Sequence, residues 1–282
     1  ITSDRFSFET IVVDNASTDD SVAMVRSKYP NSIVITNLTN LGFTGGNNLG
    51  IQAAHGRYVM VLNPDAEIVD AAIDQMIDYL DAHAEVGAIG PQLLNPDRSV
   101  QSSRRRFPTM LTGIFESTWL QGIAPRNVLH RFYMDDVSPD AVQEVDWLTG
   151  ACTIFRRSVL DQVGIYDEAN FFMYSEEIDL CRRIKAASHS IVYLPAAQVI
   201  HFIGQSSDQV VAARQLYFQT SKVNYFRKHH GRFKAGLLRL FLLTSYLWQI
   251  VLESTKGLLG NKRSMRRERV KVYWQVVRSG LR

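Results

Sequence analysis

Cysteine is scarce in this chain. Cys152 and Cys181 are the only two among 282 residues, and their separation fits no metal-binding spacing. A disulfide framework is therefore not expected, and a reducing cytosolic setting is. The opening stretch ITSDRFSFET has no basic segment followed by an apolar core, so it does not read as a secretory signal. No Gly-Lys-Ser/Thr follows the glycine-rich segment at 42–50, which excludes a Walker loop, and the glycine spacing does not fit a dinucleotide fingerprint. The longest apolar run, 237–252, is interrupted by Arg239 and Gln249 and falls short of the roughly 20 clean residues of a spanning helix. There is no internal repeat, no zinc module and no aromatic platform interleaved with the basic residues, so nucleic acid is not an expected partner.

What the chain does have is a lopsided charge. Its net charge of +3 conceals 15 Lys and Arg against 2 Asp and Glu in residues 220–282, leaving 16 against 26 in the rest. An acidic body with a basic tail suggests that the tail meets an anionic surface. With Tyr246 and Trp248 in its apolar run, the region 233–282 reads either as a helix lying at a membrane interface or as a buried core helix with a solvated basic end.

The body alternates two kinds of periodicity. FETIVVD, SIVIT, YVMVL and AIGPQLL read as short buried strands. DDSVAMVRSKYP and DAAIDQMIDYLDAHAEVG have apolar residues at helical spacing. The segment LGFTGGNNLGIQAAHG reads as a glycine-rich turn leading into a short helix. SSRRRFPTM reads as a basic loop, and 111–140 carries no clear pattern. WLTGACTIFRRSVLDQVG reads as a strand and a short helix, YSEEIDLCRRIKAAS as a helix, and SIVYLPAAQVIHF as an extended run with an edge or bend at Pro195. Strands alternating with helices through short loops predict a doubly wound, mostly parallel α/β sheet with helices on both faces. Ligands bind such sheets beyond the carboxyl ends of the strands, where Asp14, Asn40 and Asp65 fall.

Each polar residue at those ends has two readings. Asp14, in VVDNASTD, is either a turn or helix cap or an acceptor for a base or ribose hydroxyl. The glycines at 42, 45, 46 and 50 allow close approach of a ligand to the backbone. Asp65, in LNPDA, follows a strand and a φ-fixing proline. It caps a turn, or it holds Mg²⁺ or Mn²⁺ against phosphate oxygens. Glu176 and Glu177 open a helix, where the macrodipole favours acids, or one of them takes a proton from a hydroxyl. His201 ends an extended run. With Asp65 on one cation it would complete a mixed nitrogen and oxygen site.

Taken in order, VVDNASTD, NLGFTGGNNLG, LNPDA, WLTGACTIFRR, EEIDLC and VIHFIGQSS resemble the motifs of family 2 glycosyltransferases over about residues 8–230. The match is to the bacterial rhamnosyltransferase branch, in which Asn-Pro-Asp stands for the usual Asp-x-Asp. The resemblance implies a glycosyltransferase A-type domain over 1–230, with 231–282 as a basic, partly apolar helical extension. It also implies inverting transfer from a nucleotide-diphosphate sugar, dTDP-rhamnose by the Asn-Pro-Asp variant, to a lipid-linked or cell-wall polysaccharide acceptor. Carried onto this chain, Asp14 would contact the base, and Asn40, Gly42, Asn48 and Asn63 would line the nucleotide-sugar pocket. Asp65 and His201 would hold the divalent metal, Trp147 and Gly150 would shape the acceptor side, and Glu177 would be the general base with Glu176 as its substitute. The implied location is cytoplasmic, peripheral at the inner face of the plasma membrane.

One departure from the family pattern stands out. The family places a strand and helix before the strand that ends in the DNAS turn, whereas here Ile11 comes ten residues after the first residue given. An unpaired strand edge is expected in consequence. The competing expectation is a catalytically impaired chain that binds nucleotide weakly or not at all.

Overall fold

A computed structural model describes residues 3, 5–202, 211–260 and 262–282. The elements run β1 (Ile11–Asp14), α1 (Ser21–Lys28), β2 (Ile33–Thr36), α2 (Gly42–Ala53), β3 (Tyr58–Leu62), β4 (Ala66–Ile68), α3 (Ala72–Ala82) and β5 (Val86–Leu94). They continue with β6 (Arg104–Arg105), α4 (Met110–Phe115), α5 (Arg126–Phe132), β7 (Gln143–Glu144), β8 (Trp147–Leu148), β9 (Cys152–Arg156), α6 (Arg157–Val163), α7 (Glu176–Ala186) and β10 (Ser190–His201). Helices α8 (Val211–His230), α9 (Arg232–Leu258) and α10 (Arg263–Ser279) close the chain. The tail of the VIHFIGQSS motif, from Ile203, lies outside the described residues.

The chain divides into two compact units. One comprises Ile1–Phe107, His130–Phe172 and Glu176–Gln205; the other comprises Pro108–Leu129, Met173–Ser175 and Ser206–Arg282.

The first unit is built on a sheet ordered β3-β9-β5-β10-β4, with β7 added on β10. The sheet is mixed. β5 and β10 are parallel, while β9 runs antiparallel between β3 and β5, and β4 runs antiparallel on the outer side of β10. Alternation along each strand sends side chains to opposite faces. Phe155, Ile191 and Tyr193 join one core with Leu180 and Ile184 of α7. Ile154, Val192 and Leu194 join the other with Ile73, Met76 and Leu80 of α3. Pro195 lies where the β10–β5 register shifts, between Leu194 and Gln198, so it marks a bend in an interior strand.

β1 and β2 pair in parallel with each other and form a separate two-stranded sheet. The outer edges of β1 and β3 have no strand partner among the described residues. The supposed basic loop is ordered instead. Arg104 and Arg105 form β6 against β8, and the buried Arg104 guanidinium donates to the carbonyls of Val137 and Ser138. A guanidinium whose donors are met by carbonyls is tolerated inside, so these arginines serve the fold rather than a ligand.

In the second unit α8, α9 and α10 pack on one another and α9 packs on α4. Leu238, Leu242 and Tyr246 face inward from α9, Phe226 from α8 and Val276 from α10. α9 is 27 residues long, with a mean hydropathy of 1.5 over its most apolar 18-residue window, enough by length and composition to cross a membrane. It buries only one side. Phe233, Leu237, Leu240, Leu247, Val251 and Leu258 are all exposed, and they recur at three-, four- and seven-residue intervals, which puts them on one stripe.

Candidate active site

Three strand ends and two helix starts of the first unit carry the polar residues singled out in the sequence. At the end of β3 the chain turns through Asn63 and Pro64, and the Asn63 N–H donates to the Ala151 carbonyl. Asp65 then enters β4, which pairs with the end of β10 in the register His201 opposite Ala66. That register brings His201 Nε2 to 3.3 Å from Asp65 Oδ1, with both side chains largely buried.

The imidazole is oriented from behind. Gln101 Nε2 donates to Asn95 Oδ1 at 3.0 Å and to the His201 carbonyl at 3.2 Å. Both partners are pure acceptors, so the Gln101 amide is fixed and its Oε1 is the atom that faces His201 Nδ1 at 2.8 Å. Nδ1 must therefore donate, which leaves Nε2 facing the Asp65 carboxylate. Two acceptors at that distance repel unless a proton or a cation lies between them. The same arrangement, an imidazole held through its other nitrogen, is how proteins present histidine to a metal. The pair thus fits a divalent cation. No cluster of three or more such ligands occurs among the described residues.

The second group gathers at α7. Glu176 and Glu177 occupy its first turn, and Arg183 fixes the helix by pairing with the buried Asp179 at 2.9 Å while donating to the carbonyls of Val163 and Ile165. Gly150 lies beside the Glu177 carboxylate, and the two glutamates interact with each other. Burial raises both carboxyl pKa values. Glu176 rises further, because it also faces the charge of Glu177. Two buried carboxyls that interact in this way titrate as a pair. Oε2 of each glutamate is buried with no hydrogen-bond partner among the described residues. A Cβ on Gly150 would lie 3.7 Å from Glu177 Oε1 and 3.4 Å from the Phe43 ring of α2, so Gly150 leaves room at this carboxylate. The two groups are connected: Glu177 lies beside Gly150, and the next residue, Ala151, accepts from Asn63, two positions before Asp65.

The nucleotide-side expectations divide. Asp14 sits at the end of β1 and accepts from the Ser17 N–H through both oxygens, the turn-cap geometry. Asn40 accepts from the Gly42 N–H and from Asn15. Asn15, which the sequence reading passed over, also donates to the Gly42 carbonyl and accepts from Asn37 and Leu41, tying β1 and β2 to the start of α2. Its only sequence signal was its place beside Asp14. The glycine-rich segment is not a turn but α2 itself, starting at Gly42 with φ +74°. A side chain there would overlap the Phe172 carbonyl.

Two residues are committed elsewhere. Asn48 is buried and its amide is used by Tyr166, donating to the carbonyl and accepting from the N–H, so it is a strut for the 166–168 loop. Trp147 is a core residue whose indole N–H donates to the Arg106 carbonyl, so it shapes any acceptor surface only from beneath. Cys152 and Cys181 are free, and burial pushes both thiols up to about 12, which removes them as nucleophiles.

Comparison with known proteins agrees with this geometry. Residues 3–164 match the family model described as glycosyl transferase family 2. An N-acetylglucosaminyl-diphospho-decaprenol L-rhamnosyltransferase of Mycobacterium tuberculosis is 30% identical over 239 residues, 80% of this chain and 77% of that protein. The rhamnosyltransferase WbbL of Escherichia coli K12 is 27% identical over 57% of this chain and 61% of its own. Among solved structures, the mannosyltransferase PcManGT of Pyrobaculum calidifontis, in complex with GDP-Man and Mn²⁺, superposes with a TM-score of 0.51 at 14% identity, over 95% of this chain and 75% of that one. GalNAc-T7 with UDP, GalNAc and Mn²⁺ gives 0.52 at 12% identity, over 79% of this chain and 48% of that one. These likenesses show the fold, which is of the glycosyltransferase A type.

Proposed function

Since the chain belongs to glycosyl transferase family 2 and is a glycosyltransferase, we propose that it moves a rhamnosyl residue, with inversion, from dTDP-rhamnose to a hydroxyl of a lipid-linked glycan in cell-wall polysaccharide synthesis. The observation that carries this reading is the Glu177 side chain in the first turn of α7, beside Glu176 and Gly150, with its Oε2 buried and without a hydrogen-bond partner among the described residues; in this reading Glu176 carries the proton of the pair. An acceptor hydroxyl fits that oxygen. Glu177 takes its proton as the oxygen attacks the anomeric carbon, and the bond from that carbon to the diphosphate breaks on the opposite side. The product has inverted configuration and no covalent enzyme intermediate forms.

Asp65 and His201 would hold Mg²⁺ or Mn²⁺, which when bound neutralises charge on the departing diphosphate. Asp14 and the Asn40–Gly42 turn, braced by Asn15, would face the nucleotide. The nature of the acceptor comes from the name of the mycobacterial relative, whose substrate carries decaprenol. The exposed apolar stripe of α9, with basic residues on α9 and α10, supports peripheral attachment to an anionic membrane from the cytoplasmic side.

The test is incubation with dTDP-rhamnose, UDP-galactofuranose, UDP-glucose and GDP-mannose, each with a polyprenyl-diphosphate N-acetylglucosamine acceptor, with Mg²⁺, Mn²⁺ or chelator. Transfer of rhamnose alone is expected, with loss of turnover in chelator and an inverted anomeric signal by NMR. The isolation of β1–β2 from the main sheet favours a second reading, an impaired chain, and turnover of no donor on the panel would select it.

A further inference from the structure

The helical unit contains a pocket that the transfer chemistry does not use. It has a volume of about 140 Å³ and lies between the 117–119 turn, α8 and α9. Trp119 stands at it with half of its surface exposed. Gln215, Gln219, Ser245, Tyr246 and Gln249 supply most of the rest.

Its chemistry is specific. No Lys, Arg, Asp or Glu lines the pocket, so it suits neither a phosphate nor a metal cation. Its polar groups are amides and hydroxyls, each able to donate and to accept. Gln215 Nε2 donates to the Tyr246 hydroxyl at 2.8 Å, which orients both. Gln219 is almost wholly buried, and its Oε1 has no hydrogen-bond partner among the described residues. Such an oxygen is destabilising unless a ligand donor or water meets it. Beside these groups the Trp119 indole offers a flat apolar surface. The volume is well below the roughly 300–1,000 Å³ of sites for drug-sized molecules, so one small ring is the natural occupant.

A neutral ligand with several hydroxyls around its rim and one apolar face is a sugar ring. We infer that this pocket binds a single uncharged pyranose of the acceptor glycan, with its C–H face on Trp119 and its hydroxyls on Gln215, Gln219 and Ser245. The inference rests on the glycan-acceptor reading above and adds to it a second place, outside the catalytic unit, at which the acceptor is recognised.

The experiment uses the full chain without donor or metal, and methyl glycosides of N-acetylglucosamine, rhamnose, galactose and glucose as probes. Saturation-transfer difference NMR should show magnetisation passing to the ring protons of at least one probe. Trp119→Ala should abolish the transfer, Trp119→Tyr should restore part of it, and Ser245→Phe, which fills the pocket, should abolish it with Trp119 intact. In turnover, Trp119→Ala should raise the acceptor KM by about tenfold, the worth of one aromatic contact, with kcat and donor KM unchanged. Absence of transfer to every probe, or transfer that persists in both Trp119→Ala and Ser245→Phe, overturns the proposal. The two readings fail separately: loss of the donor reaction from the panel leaves this binding measurement standing, and loss of sugar binding with turnover intact removes the pocket alone.

Discussion

His201 Nε2 lies 3.3 Å from Asp65 Oδ1, and the far nitrogen of the ring donates to Gln101 Oε1. Two atoms able to ligate a cation are thus held together by the pairing of β4 with β10. Asp65→Ala should remove the stronger of the two donors. Metal-dependent transfer is expected to fall by at least about a hundredfold, in the range seen on deleting one electrostatic stabiliser. Titration of Mn²⁺ followed by electron paramagnetic resonance checks the cause. Unchanged turnover would take Asp65 out of the site.

Gln101→Leu addresses the same pair without touching either member. It frees the ring to rotate, and loss of such an outer contact costs about 10–100-fold in metal affinity. The dependence of turnover on Mn²⁺ concentration should shift upward by that factor while saturating turnover stays close to that of the parent.

The glutamates should behave unequally. Glu177→Gln is expected to lower kcat by about 10²–10⁴ with the donor Kd preserved. Glu176→Gln retains a donor toward Glu177 and should keep most activity, which Glu176→Ala should not. Equal loss from Gln at both positions would reverse the assignment of base and proton carrier.

Stability should carry a matching pH signature. Burial raises the Glu176 carboxyl well above its ordinary range, so the folded chain keeps a proton that the unfolded chain releases above about pH 4.3. Stability on this account is full below that pH and declines as pH rises toward the raised folded value. Glu176→Gln lacks the group, so its melting temperature relative to the parent should climb across that window. A constant difference between the two melting curves would show that the site takes up no proton on folding.

The stripe on α9 makes a separate prediction. Leu240→Glu with Val251→Glu alters two exposed positions and leaves the buried side untouched. Co-sedimentation with anionic vesicles should drop sharply while thermal stability barely moves. If the double variant pellets as the parent does, lipid contact is not through α9.

Sequence periodicity located the strands and helices of the catalytic unit well, because apolar alternation and helical spacing record burial directly. It failed where packing overrode local preference. Four glycines between 42 and 50 are poor helix formers, yet α2 forms there. Its approach to β1 leaves little room: a Cβ on Gly46 would come within 3.3 Å of Asn15. Arg104 read as part of a basic loop because its carbonyl partners, Val137 and Ser138, are distant in sequence and leave no local trace. The same holds for Asn48 and Trp147. Their amide and indole groups are polar enough to suggest a ligand, and only the folded chain reveals that Tyr166 and Arg106 already occupy them. Asp65 and Glu177 stand out in the sequence because an acid that follows an apolar strand or opens a helix is conspicuous, and their roles rest on the variants proposed above.

The irregularity in β10 between Leu194 and Gln198 separates two halves of one strand that tolerate change differently. Upstream of it, an inserted or deleted residue can be absorbed where the hydrogen-bond ladder is already interrupted. Between Gln198 and His201 there is no such slack. A single-residue slip there would turn the imidazole to the opposite side of the sheet, stranding Asp65 without any substitution at either position.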